Sequence, residues 1–156
     1  MTKPVTHYTK KNMHPIDSCI DFPAKDVRWL EPLITDAAWV HMMAFTSHAY
    51  MNVLRGHSTW PVGTRTSPHF VKSLRILRER LQMQGQFNDE EDRRVCHMVL
   101  TNSTVQVVTS LATYAILHGE FAEARCHLQG LRQIVKLRGG FDGFRPWPKL
   151  IIEILR

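Results

Sequence analysis

The chain is short of cysteine, and its three thiols, Cys19, Cys96 and Cys126, are far apart. An odd number with no close pair excludes a compact disulfide scaffold and any CxxC zinc site. The expectation is three reduced thiols behaving as small apolar side chains. No GxSxG, phosphate-binding glycine loop or HExxH occurs, which removes the common hydrolase, nucleotide-binding and zincin signatures. The N-terminus has no continuous apolar run and is no secretory signal. Charge is missing from two stretches, Ala37 to Leu54 and Val95 to Gly119, neither of which contains Asp, Glu, Lys or Arg. Their His, Ser, Thr, Asn and Gln content falls short of the roughly 20 predominantly apolar residues of a membrane span. A helix apolar on most sides is internal, so both read as buried helices of a soluble bundle. Residue Asp36 is placed to cap the first of them.

What is present is ordinary for a folded domain. The 156 residues are 44% hydrophobic and 22% charged, enough for one core without metal or disulfide. The fold class is all-α, a bundle or array of about five helices. Residues 1–25, rich in proline, form an extended lead, with Ile16, Ile20 and Phe22 expected on the core; residues 26–156 form one helical domain. Trp39, Val40, Met42, Met43, Phe45, Tyr50, Met51, Val53 and Leu54 supply apolar surface, and Arg55-Gly56 ends their helix. Ser67-Pro68 is a strong helix start. Phe70, Val71, Leu74, Leu77 and Leu81 follow as one stripe, with Lys72, Arg75, Arg78, Glu79 and Arg80 on the solvent side.

Residues 91–118 are rich in β-branched side chains, yet too long for a strand, and read as helix. Residues 120–138 are the clearest helix. Glu120 and Glu123 sit in its first turn and Lys136 and Arg138 in its last. Phe121, Ala124, Leu128, Leu131 and Val135 form its stripe, and Gly139-Gly140 terminates it. Gly130 costs about 1 kcal/mol against Ala in that helix and is expected to face a neighbouring helix. After FDGFRPWP, the residues Trp147, Leu150, Ile151, Ile154 and Leu155 form an apolar helix. It either docks or stays exposed; read as the unfinished end of an incomplete domain, it is expected to drive dimerisation or aggregation at micromolar concentration.

Candidate chemistry is sparse. His41 and His48 are seven apart, the wrong spacing for a helical metal pair; buried, hydrogen-bonded imidazoles are expected. Cys96-His97 and Cys126-His127 are neighbours pointing about 100° apart on a helix, unfit as nucleophile and base. The methionines read as core filler. No catalytic, cofactor-binding or metal-ligating residue is singled out, and no cofactor is expected. Charge offers more: Lys plus Arg outnumber Asp plus Glu by 20 to 14, a net +6. Arg125, Gln129, Arg132 and Lys136 share a helix face, and the three cations are the candidate basic interaction face. It suits phosphate or an acidic partner, or is a solvated outer side. It lacks the interleaved aromatics, Asn or Ser of a base-reading surface.

The string Leu117 to Gly140, LHGEFAEARCHLQGLRQIVKLRGG, resembles the best-preserved stretch of the fungal-specific transcription factor domain, the regulatory helical region of zinc binuclear-cluster regulators. Glu123-Ala124-Arg125, His127-Leu128, Gly130-Leu131 and Leu137-Arg138-Gly139-Gly140 carry the likeness. His7-Tyr8 with Pro15, Trp29 to Leu33, Asp36 to His41, Leu54-Arg55-Gly56 and the Leu74/Leu77/Leu81 helix are similar too. The cluster's six cysteines are absent. The resemblance implies an all-α fold, an intracellular protein of the nucleus, with the cytoplasm as the alternative, and a non-enzymatic role in transcriptional regulation through protein–protein contacts. A protein partner or self-association is expected, with no specific DNA binding by this chain alone and no membrane. The alternatives are a sequence-independent nucleic-acid binder, an inactive truncated product, and a small-ligand or enzymatic domain.

Overall fold

The computed structural model describes residues 35–55, 67–84 and 100–155. They are 86% helical, with five α-helices and no strand among them, so the fold is an all-α array. The helices are α1 (Ala37–Leu54), α2 (Pro68–Gln84), α3 (Asn102–Leu117), α4 (Phe121–Leu137) and α5 (Pro148–Leu155). A short 3-10 helix, Gly140–Phe144, joins α4 to α5. Residues 1–25, the 57–66 loop, Cys19, Cys96, the N-terminal pieces of the family likeness and the 91–99 part of the third segment lie outside the described residues.

The third helix is the hub, packing against α4, α1, α5 and α2. The charge-free stretch explains why. Ser103 to Val108, Leu111, Ala112, Tyr114 and Ala115 are all buried, a surround that a Lys or Glu could not enter without a partner. Thr101 sets its start: the side-chain oxygen accepts from the Thr104 N–H at 3.2 Å, satisfying a first-turn donor. The β-branched run Thr104 to Val108 is helical and buried throughout.

An aromatic triad locks the first three helices. Phe45 of α1 lies 4.8 Å from Phe70 of α2 and 5.2 Å from Tyr114 of α3, and Phe70 and Tyr114 are 5.6 Å apart, all tilted. Such spacings favour quadrupole-aligned contacts beyond simple area burial. Met42, Leu77, Val105, Val107, Leu111, Leu131 and Ile134 extend the same core.

Three helices turn residues differently from expectation. In α2, Phe70 and Leu77 are buried, but Val71 is 51% and Leu81 39% exposed. The inward positions include Ser73, whose hydroxyl donates to the Ala38 carbonyl at 2.9 Å and lets α1 and α2 approach. Arg80, assigned to solvent, is only partly exposed and turns in to Asp36. In α4, the buried line is Ala124, Leu131 and Ile134; Phe121 and Leu128 point outward at 70% and 47% exposure. In α1, Val40 is exposed at 40%.

Gly130 also departs from expectation. It is exposed, and a Cβ built there meets nothing within 4 Å. No neighbouring helix explains it. The last helix is docked rather than open. Leu150 is buried, Trp147, Ile151 and Ile154 pack on the core, and Leu155 is the large side chain left out at 67%. The broad apolar surface expected to drive self-association is therefore mostly covered by the chain itself.

The α4–α5 connection is built on Arg138. Gly139 and Gly140 take φ of +86° and +76°, the left-handed region that a side chain resists. Gly143 then passes so close that an added Cβ would sit 2.1 Å from the Arg138 carbonyl oxygen. The two interior glycines thus invite opposite results. Gly130→Ala is expected to stabilise by about 1 kcal/mol, because only helix propensity changes. Gly143→Ala is expected to destabilise, because backbone has to move. Thermal melts of the two variants check both; a loss for Gly130→Ala would place that glycine against an unseen neighbour.

Candidate functional site

Three side-chain assemblies stand out among the described residues. The first is centred on Asp36. One carboxylate oxygen accepts from the Ala38 and Trp39 N–H groups at 2.9 and 3.2 Å, capping α1. Arg80 of α2 grips both oxygens, at 2.7 and 3.0 Å, and the Ser103 hydroxyl of α3 donates to the second oxygen. Side-chain exposures of 25% for Arg80 and 11% for Asp36 place this bidentate pair in partly desolvated surroundings, where charge-assisted bonds are strong. Burial alone would push the Asp36 carboxyl up. The hydrogen bonds from Arg80, Ser103 and Trp39, with the Arg80 charge, outweigh it and hold the group below its ordinary value. Both carboxylate oxygens are engaged internally, so the assembly ties α1, α2 and α3 together. Asp36 was legible as a cap; its tertiary partners were not.

The second is Arg138, the arginine of the LRGG string. Its guanidinium lies 4.0 Å over the Phe144 ring and 5.7 Å from the Trp147 ring, and it donates to Asn102 at 2.9 Å. Burial lowers its pKa, but a guanidinium stays charged in any physiological range. The string thus divides by role. Ala124 and Leu131 enter the core, Arg138 with Gly139 and Gly140 builds the turn, and His127 is half-buried. Glu123, Arg125, Leu128, Gly130 and Leu137 face outward.

The third is the outer side of α4. Arg125, Arg132 and Lys136 are exposed, with Gln129 beside them. At about 100° per residue, Phe121 and Leu128 fall in the same roughly 100° sector. That face therefore mixes two exposed apolar side chains with three cations, and contains no Asp or Glu. Sequence periodicity had placed Phe121 and Leu128 inside, which hid this mixture.

The remaining candidates resolve simply. His41 is half-buried, its Nδ1 2.8 Å from the Nδ1 of His69. His48 is exposed rather than buried. Cys126 is an exposed free thiol, not a buried apolar residue. No group of three or more His, Cys, Asp or Glu among the described residues could hold a metal ion. No described helix is long and apolar enough to cross a membrane. No family model, no curated protein and no solved structure matches the chain.

The Asp36 assembly yields a pH prediction. A carboxylate with a depressed folded-state pKa contributes stability that is present above its unfolded value, near pH 4, and lost as pH falls through the folded value. Asp36→Asn is expected to lower stability at neutral pH and to flatten the stability loss between pH 5 and 2.5. Asp36→Ala is expected to cost about 3 kcal/mol, since Arg80 loses its counter-charge in a partly buried place. Urea melts across that range are the check; unchanged acid sensitivity in Asp36→Asn would sink the assignment.

Proposed function

We propose that this chain is a non-enzymatic interaction module. We relate it to the regulatory helical region of fungal-specific transcription factors, acting in the nucleus in transcriptional control through protein–protein contacts. The observation that carries the interaction reading is the outer face of α4. Arg125, Arg132 and Lys136 lie beside exposed Phe121 and Leu128, with no acidic residue in the sector. The relation rests on the Glu123-Ala124-Arg125, His127-Leu128, Gly130-Leu131 and Leu137 to Gly140 string. It is supported by Ala124 and Leu131 in the core and by Arg138, Gly139 and Gly140 in the α4–α5 turn.

The partner that fits is an acidic, amphipathic helical segment of another protein. Its carboxylates would meet the three cations, and its apolar side chains would cover Phe121 and Leu128. A second copy of this chain is disfavoured, because the face would meet its own positive charge. Phosphate alone would use the cations and leave the Phe121 ring in water. A 17-residue helix is about 25 Å long, which suits a small, transient interface with charge setting the on-rate.

A fluorescently labelled Leu/Glu amphipathic peptide and a random-sequence DNA duplex serve as probes. The peptide is expected to bind, and Arg125→Glu with Arg132→Glu and Lys136→Glu to weaken it at least tenfold. Phe121→Ser is expected to weaken the peptide severalfold. All four positions are exposed, so circular dichroism should match the unmodified chain. Duplex binding that falls steeply with salt and ignores Phe121→Ser, with no peptide binding, would favour the nucleic-acid reading instead.

A further inference from the structure

The His41–His69 contact joins two helices at residues 28 apart in the chain. The two rings have centroids 5.1 Å apart and are tilted by 42°. The nitrogens that meet are both Nδ1, at 2.8 Å. A hydrogen bond between two imidazoles needs one N–H and one lone pair. It survives with both rings neutral, and it survives with a single added proton. It cannot survive a second, because two N–H donors and two positive charges would then face each other.

We propose that His41 and His69 form a proton-sensitive latch on the α1–α2 pair, closed at neutral pH and released when both imidazoles are protonated. This is independent of the partner reading for α4.

The surroundings make the second proton expensive. Lys72 lies on α2 one turn after His69 and adds a cation close to His41. His69 stands in the first turn of α2, where the helix presents its positive end. Among the described residues no carboxylate is placed to compensate. Helix α1 contains no Asp or Glu within Ala37–Leu54, and α3 contains no charged residue at all. Asp36, at the start of α1, is engaged by Arg80 and Ser103. Glu79 is ten residues along α2 from His69, about 15 Å at 1.5 Å per residue, and is paired with Arg75. Desolvation, Lys72 and His69 together hold the His41 pKa below its ordinary value. For a base this means the folded state binds fewer protons than the unfolded one. Stability is therefore full above about pH 6.5 and falls as pH drops toward the folded-state value.

The latch lies over a sensitive place. Phe70, the residue after His69, is buried against Phe45 and Tyr114, so a displaced first turn of α2 loosens one corner of the aromatic triad. The Val71 N–H, which donates to the Ser67 carbonyl at 3.0 Å, reports on that turn directly.

Imidazole NMR titration of the full chain and of His69→Gln is the first test. The His41 pKa is expected to rise by several tenths of a pH unit in the variant. The second test is amide exchange at Val71, corrected for intrinsic rate. Protection is expected to drop severalfold between pH 7 and pH 5 in the unmodified chain, and to stay constant in His41→Gln. A His41 pKa left unchanged by His69→Gln would overturn the proposal. So would equal loss of Val71 protection in His41→Gln.

Discussion

A helix enclosed on nearly every side has nowhere to put a charge, and the arrangement of the other helices follows from meeting that condition for α3. Its polar residues are Ser, Thr, Gln, Asn and Tyr, all uncharged, and several of them are satisfied by its own turns. Thr109 and Thr113 donate back to the carbonyls four residues earlier, at 2.9 and 3.0 Å. Thr101, Ser103 and Thr104 form a hydroxyl cluster at its start. Since α3 brings no charge, the strong ionic contact at its N-terminal end comes from elsewhere, from Asp36 and Arg80. Ser103 supplies only a hydroxyl to it. At the same end Arg138 reaches Asn102, so α1, α2 and the α4–α5 turn are all tied to the beginning of α3.

How much of this could be read in advance differs by element. Helix identity was legible because it depends on local signals: Asp36 as a cap, Ser67-Pro68 as a start, and Gly139-Gly140 as a stop. The burial of α3 was legible because its composition leaves no alternative. Helix rotation was less so. Phe121 and Leu128 fit an apolar stripe with Ala124 and Leu131 as well as Ile134 does, and hydrophobicity alone does not choose between overlapping stripes. In the fold that choice goes with the turn at Arg138, whose guanidinium lies over Phe144 and bonds Asn102 at the start of α3. A constraint of that kind joins residues through a ring stack and a hydrogen bond, and leaves no periodic trace.

Long-range polar partners were invisible for the same reason. Arg80 sits 44 positions from Asp36, in a helix whose other cations face water. Nothing in its spacing distinguishes it from Arg78. Likewise His41 was weighed against His48 on its own helix, whereas its contact comes from α2. Gly130 illustrates the opposite error. An interior glycine suggested close helix approach, but the space beside it is open, and no packing reason for it is found among the described residues.

These rotations bear on function through what they leave outside. With Ala124, Leu131 and Ile134 committed to α3, the outer sector of α4 holds Phe121 and Leu128 beside the cations. An apolar residue left in water costs little singly, since much of any protein surface is apolar. A ring that is 70% exposed beside three like charges is a different arrangement. Like charges on this face would repel a second copy of it, while the ring and the leucine offer apolar area beside them. A purely phosphate-binding helix gains nothing from Phe121, and a purely solvated one gains nothing from either. The acidic, amphipathic partner proposed for this face rests on that combination, which exists because α4 turned its more obvious stripe partly outward.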